Sequence, residues 1–217
     1  MIVAGGVLCG LLGLGVGVFV NRLIDRWCSK GAPARYVIVA ALTAGLFAAT
    51  VFRFGADVVI PAYLVFFTCL VAVSTIDLDR RIIPNRIIYP TIFTSIPLLA
   101  IAAAVNGDFE SLKNALIGGA AAFAALFVIH LISPAGMGFG DVRLSFILGL
   151  FLGWLSLSHV LVGIFLGFLL GAFIGLALVL SRIRSRKDAI PFGPFLAGGA
   201  ALAVFAGSPI ISWWLRT

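Results

Sequence analysis

Eight nearly unbroken apolar stretches follow one another along the 217 residues: Ile2–Asn21, Tyr36–Phe52, Val58–Ile76, Ile87–Val105, Leu112–Ser133, Val142–Leu155, His159–Leu180 and Pro191–Leu215. A run of about 20 apolar residues is long enough to cross the hydrocarbon of a bilayer as a helix. Lipid offers the backbone no hydrogen-bond partners, so such a segment has to pair its own polar groups, as a helix does. The pattern predicts an all-α polytopic membrane protein of about eight transmembrane helices. It reads as a single integral-membrane domain over 1–217, with two N-terminal spans (1–56) and a six-span core (57–217). The sixth run is short, and Gly149 and Gly153 give it a small-residue face suited to close packing or a partly re-entrant path. Polar breaks fall at Ser29–Pro33, Asn106–Ser111 and Arg182–Asp188. Composition agrees: 62% of residues are hydrophobic and 11% charged, which leaves no polar segment for a separate soluble domain.

Basic residues set the expected orientation. With both termini outside, twelve of the fifteen Lys and Arg side chains fall on the inner face, including Arg22, Arg26, Lys30, Arg80, Arg81, Arg86 and Arg143. The net charge of +7 is thus explained by loops on one face of a membrane, and no nucleic-acid partner is expected. Trp213 and Trp214 suit an outer interfacial belt. No basic residue precedes the first run, whereas three follow it, the reverse of a cleavable signal, so it is expected to remain as a span. Cys9, Cys28 and Cys69 are isolated and form no CxxC pair, which removes a zinc knuckle or a disulfide framework. They read as small apolar fillers and one loop thiol.

Two acidic sites interrupt this apolar text at the expected inner face. One is "STIDLDRRIIPNRIIYP", where the third span runs out into Asp77 and Asp79; the other is "GMGFGDVRLS", with Asp141 at the start of the sixth. Ionisable groups in membrane segments are costly and mark functional sites by default. Two neighbouring carboxylates tend to share a proton. One can then act as base on a water while the other polarises a scissile carbonyl and later protonates the leaving nitrogen. This chemistry needs no metal and no cofactor. Helix polarity divides the roles: the N-terminal end of a span favours a charged Asp141, and the C-terminal end favours Asp77 as holder of the proton. Gly136, Gly138 and Gly140 permit positive φ and close backbone approach, so they predict a sharp turn and an extended edge able to pair with an unwound peptide. A plain flexible loop is the alternative for this stretch.

The "GFGD" at Gly138–Asp141 is similar to the GxGD signature of intramembrane aspartyl proteases, and "GMGFGDVRLS" resembles its version in the type IV prepilin leader peptidases. In that family the first catalytic Asp is followed seven residues later by the Pro of an "IP" pair, and Asp77 stands at that spacing from Ile83 and Pro84. "GVFVNRLIDR" (Gly17–Arg26) and "IPFGPFLAGGA" (Ile190–Ala200) resemble it too, so four motifs in order cover most of the chain. The resemblance implies an aspartyl endopeptidase of a bacterial cytoplasmic (inner) membrane that cuts the basic leader of prepilin- or pseudopilin-like substrates of type IV pilus and protein secretion systems. Asp77 and Asp141 would be catalytic, and Gly138, Gly140, Pro84 and Arg143 would position substrate. Many members carry an insertion with two CxxC pairs and N-methylate their product. Here the loop from Arg22 to Arg35 is short and holds Cys28 alone, so methylation is not carried over.

Other residues have plainer readings. Asp79, beside Arg80 and Arg81, is the rival to Asp77 but reads as a solvated ion pair. Arg143 either stabilises the Asp141 carboxylate, meets an acidic substrate residue, or snorkels. His130 either tunes the dyad or is a helix-facing histidine, and His159 is expected at the outer interface. Arg182–Lys187 reads as a topology anchor on anionic lipid head groups. "IPFGPF" reads as a helix start with a local break. Two rival functions stand beside the peptidase: a proton-coupled transporter or channel, expected to place carboxylates near the midplane of a repeated fold, and a non-catalytic assembly component.

Overall fold

A computed structural model describes residues 2–28, 33–134, 136–181 and 191–214. The described residues form eight helices: α1 (Ile2–Ile24), α2 (Pro33–Phe54), α3 (Ile60–Arg80), α4 (Asn85–Asn106), α5 (Phe109–Ile132), α6 (Phe139–Leu155), α7 (Leu157–Leu180) and α8 (Gly193–Trp214). Seven are long and apolar enough to cross a membrane. The eighth, α6, has 17 residues and a length of about 25 Å, short of a hydrocarbon core of about 30 Å. The all-helical polytopic architecture expected from the apolar runs is the one observed. The Arg182–Lys187 cluster, Ile190 and the Trp214 side chain lie outside the described residues.

The chain divides into two compact units, residues 1–109 and 110–217. In the first, α3 packs against α1, α2 and α4. Protein covers 61% of the apolar window of α3 but 17% of that of α1. Local chemistry delimits these helices. Pro61 lies in the first turn of α3, where its missing N–H costs nothing. Gly107 closes α4 in the left-handed region (φ 68°), its N–H donating to the Ala103 carbonyl. Close contact between α1 and α2 is made by absent side chains: a Cβ on Gly13 would lie 2.7 Å from Ala44 Cα, and one on Gly17 2.6 Å from Ala40 Cα. Five threonine hydroxyls inside the spans are satisfied locally. Thr43, Thr50, Thr68, Thr75 and Thr91 each donate to the carbonyl four residues earlier.

In the second unit α6 is the wrapped helix, with almost every residue from Asp141 to Trp154 buried. It packs on α7 and α8. Against α5 it meets a seam of glycines, where a Cβ on Gly118 would come within 2.6 Å of the Gly149 carbonyl. One on Gly153 would run into the Asn114 carbonyl. Such small-residue seams give membrane helices van der Waals contact where no hydrophobic drive exists. Ser156 alone separates α6 from α7 and caps the latter, accepting from His159 N at 3.3 Å. His159 lies in the first turn of α7. It is buried, with Nδ1 2.7 Å from Ser156 Oγ and Nε2 3.4 Å from Ser208 Oγ, and its ring fills the space left by Gly207 on α8. A polar ring inside a membrane protein is retained because both nitrogens meet hydroxyls.

Candidate active site

Each unit's most enclosed helix carries one of the acidic sites. In the first unit α3 runs to Arg80, so Asp77 and Asp79 both lie in its last turn rather than beyond it. Their surroundings differ. Asp77 is 5% exposed. The Asp79 side chain is 45% exposed and lies 3.4 Å from the Arg80 Nε. The Asp77 carbonyl accepts the Arg81 N–H at 2.8 Å, and Arg81 ends the helix in the left-handed conformation (φ 55°, ψ 39°). A side chain rarely adopts that region, which costs on the order of 1 kcal/mol here. The chain then turns through Ile82 and Ile83 to Pro84, which caps α4 with ψ at 129° and accepts from Ile87 N at 3.0 Å. Pro84 therefore fixes how α4 starts after the acidic turn, because proline locks its own φ and holds the preceding residue out of the helical region.

The early motif braces the same end of this unit. The Asn21 amide donates to the Gly17 carbonyl at 3.0 Å and to the Tyr36 carbonyl at 3.2 Å, tying α1 to α2. Asp25 accepts the Tyr36 hydroxyl at 2.6 Å and pairs with Arg35. Cys28 is no simple loop thiol. It packs in a buried cluster with Ile24, Val71 and Ile76, and it is hydrogen-bonded to Asp79. Burial first, and then the Asp79 carboxylate, push its thiol up to about 11. A lone cysteine in a short loop carries no sequence signal of such a partner.

In the second unit the glycine stretch is ordered by α5. The Ser133 carbonyl accepts Gly136 N at 3.0 Å and Met137 N at 3.3 Å. His130, in the last turns of α5, donates from Nδ1 to the Met137 carbonyl at 2.7 Å, and its ring lies against Phe139, 5.5 Å between centroids. It thus holds the loop, a role that neither reading of its sequence position included. The chain does turn sharply here, but without the positive φ that Gly136, Gly138 and Gly140 permit. Among the described glycines only Gly55 and Gly107 have positive φ. Gly138 is extended (φ −67°, ψ 143°), and Gly140 is already helical, so the extended edge shrinks to the neighbourhood of Gly138.

The glycine at 138 answers to space instead. It is the N-cap of α6, and a Cβ there would lie 3.3 Å from Asp141 Oδ2. Asp141 is the third residue of the helix, 8% exposed, with its N–H donating to the Gly138 carbonyl at 3.0 Å. A first-turn carboxylate is favoured by the unpaired N–H groups and the positive end of the helix dipole. Asp77, in a last turn, meets the opposite end. Arg143 places its guanidinium 5.1 Å from the centre of the Phe139 ring, with Nε 3.3 Å from the Phe139 carbonyl. Ser145 is fully buried and donates to the Val142 carbonyl at 2.7 Å, with the α5 carbonyl of Ala122 at 3.2 Å.

A multi-pass helical membrane protein with enclosed carboxylates in the end turns of its most buried helices is the class these features define. Comparison with known proteins narrows it. The model of the type IV leader peptidase family matches residues 64–180, a span that contains Asp77, Pro84, Gly138, Gly140, Asp141 and Arg143. The chain is 34% identical over 195 residues to a prepilin leader peptidase/N-methyltransferase of Aeromonas hydrophila, covering 88% of this chain and 64% of that protein. It is 35% identical over 189 residues to the Bacillus subtilis (strain 168) protein of the same name, covering 87% and 73%. A Xanthomonas campestris pv. campestris relative is 30% identical over 197 residues, covering 88% and 66%. The chain belongs to the type IV leader peptidase family. It spans about two thirds of the length of these relatives. No solved structure gives a significant match.

Proposed function

We propose that this chain is an aspartyl endopeptidase that removes the basic leader of type IV prepilin-like proteins at the cytoplasmic face of a bacterial inner membrane, with Asp77 and Asp141 as its catalytic pair. The observation that carries the reading is the burial of both carboxylates in end turns of opposite polarity, on α3 and α6, inside the family match. Asp141, at a helix N-terminus, is suited to hold the negative charge and take a proton from water. Asp77, at a helix C-terminus, is suited to carry a proton. It donates a hydrogen bond to the scissile carbonyl as hydroxide adds, and then passes that proton to the departing amide nitrogen. Water is consumed, one C–N bond breaks, and a carboxylate and an amine result.

The half-exposed, Arg-paired state of Asp79 supports Asp77 as the partner of Asp141. Location in end turns, away from the centres of the helices, speaks for chemistry at a membrane face and against proton transport through the midplane. The basic inner loops support the cytoplasmic side, where a basic leader would remain.

The test is co-expression with a candidate prepilin. Asp77→Asn and Asp141→Asn should each leave the precursor uncut, while Asp79→Asn should process it. Full processing by both of the first two variants would overturn the reading. Intact mass of the product decides in the same sample whether its new N-terminus is methylated.

A further inference from the structure

Within the first unit, a groove of about 420 Å³ opens along α1, α3 and α4. It runs from Leu23 to Leu12 on α1, about 16 Å along the helix axis, close to half of a hydrocarbon core of about 30 Å. Its few polar wall groups are already committed. Thr68 donates to the Leu64 carbonyl at 2.7 Å, Thr91 to the Ile87 carbonyl at 2.8 Å, and the Cys69 thiol is hydrogen-bonded to Thr91. What remains is hydrocarbon surface and one cation, Arg86, in the first turn of α4. None of the ion pairs among the described residues involves Arg86. The first N–H groups of α4 lie in the same turn and add positive potential.

We propose that this groove binds one acyl chain of an anionic phospholipid, with the phosphate held at Arg86 and the hydrocarbon laid along α1 from Leu23 towards Leu12. The length matches one leaflet, and the single charge sits at the end where the head group of that leaflet would be. The two threonine hydroxyls have given their hydrogens to backbone carbonyls, so the guanidinium is the side-chain donor the walls still offer. Under the orientation proposed above, the lipid belongs to the cytoplasmic leaflet.

Native mass spectrometry of the purified full chain tests this with phosphatidylglycerol and phosphatidylcholine of identical acyl chains. One phosphatidylglycerol should be retained in preference. Arg86→Gln should lower that preference roughly fivefold without changing retention of phosphatidylcholine. Leu12→Trp, at an exposed rim position that folding does not depend on, should lower retention of both. A phosphatidylglycerol carrying a photoreactive group at the acyl terminus should label the Leu12 end of the groove. Equal retention of the two lipids with no effect of either variant would overturn the proposal. So would labelling spread evenly over the other exposed apolar helices, or a hydrophobic helical peptide that labels the groove and that phosphatidylglycerol cannot displace.

Discussion

His130 reaches seven residues along the chain to hold the Met137 carbonyl at 2.7 Å, and so α5 sets the path of the loop that delivers Asp141. A carbonyl oxygen can only accept, so Nδ1 carries the hydrogen in this bond. Replacement by Phe would keep the contact with Phe139 and remove only the donor. His130→Phe should lower kcat for prepilin cleavage about tenfold with little change in KM, because a loosened loop misplaces the carboxylate without altering distant substrate contacts. Asn offers an amide nitrogen near the position of Nδ1, and His130→Asn should restore most of the rate. Steady-state kinetics on the three proteins decides whether the ring positions the loop or merely fills space.

At Gly138 the backbone angles suit any residue, so the requirement for glycine is one of room. The added methyl of Gly138→Ala would press on Asp141 Oδ2 from 3.3 Å. Folding should survive, as judged by thermal stability in detergent, while cleavage falls about tenfold or more. Gly136→Ala meets only the Ser133 hydroxyl, which can rotate away, and should stay near the parent rate.

Glycines in the spans should separate by what faces them. Gly149→Ala would drive a methyl into the Gly118 carbonyl and to 2.7 Å from Ala122 Cβ, which should cost about 1–3 kcal/mol and lower the unfolding temperature. Nothing lies within 4 Å of a Cβ built on Gly15, so Gly15→Ala should be neutral or stabilise by about 0.5–1 kcal/mol. Parallel thermal melts of the two variants test the contrast.

Cys28 should react slowly with a maleimide at pH 8, since burial and the Asp79 carboxylate hold its thiol protonated up to about 11. The sign for stability follows. The folded value is raised above the ordinary 9.0, so the stability linked to this proton is complete below pH 9 and is lost as pH climbs through about 11. Asp79→Asn removes the charge that opposes ionisation and should speed labelling. Mass-resolved labelling rates against pH would show it, and prepilin processing should persist in the same variant.

The helices were legible because apolar length is a one-dimensional property, but their ends were not. Apolar counting starts the sixth span at Val142. The observed helix begins at Phe139, because glycine is acceptable at an N-cap and a carboxylate is favoured in a first turn. Counting likewise stops the third span at Ile76, although the last turn continues through Asp77 and Asp79. Asp77, Asp141 and Pro84 could be picked out from motif spacing. The partnership of Cys28 with Asp79 could not, nor could the seat of His159 against Gly207. Each joins residues far apart in sequence whose separate identities suggest nothing.

The seam between Gly118 and Gly149 lies eight residues into α6 from Asp141, about 12 Å along the axis. Because neither position admits a side chain, the two helices can mesh there in one vertical setting, and a slip by a full turn would present bulky groups to bare backbone. The position of the carboxylate along α5 is thus gauged remotely, by a pair of hydrogens where methyl groups would otherwise stand. Under the proposed role of Asp141, substitutions far along the helix, with no chemistry of their own, can for that reason shift where a peptide bond would have to arrive in order to be cut.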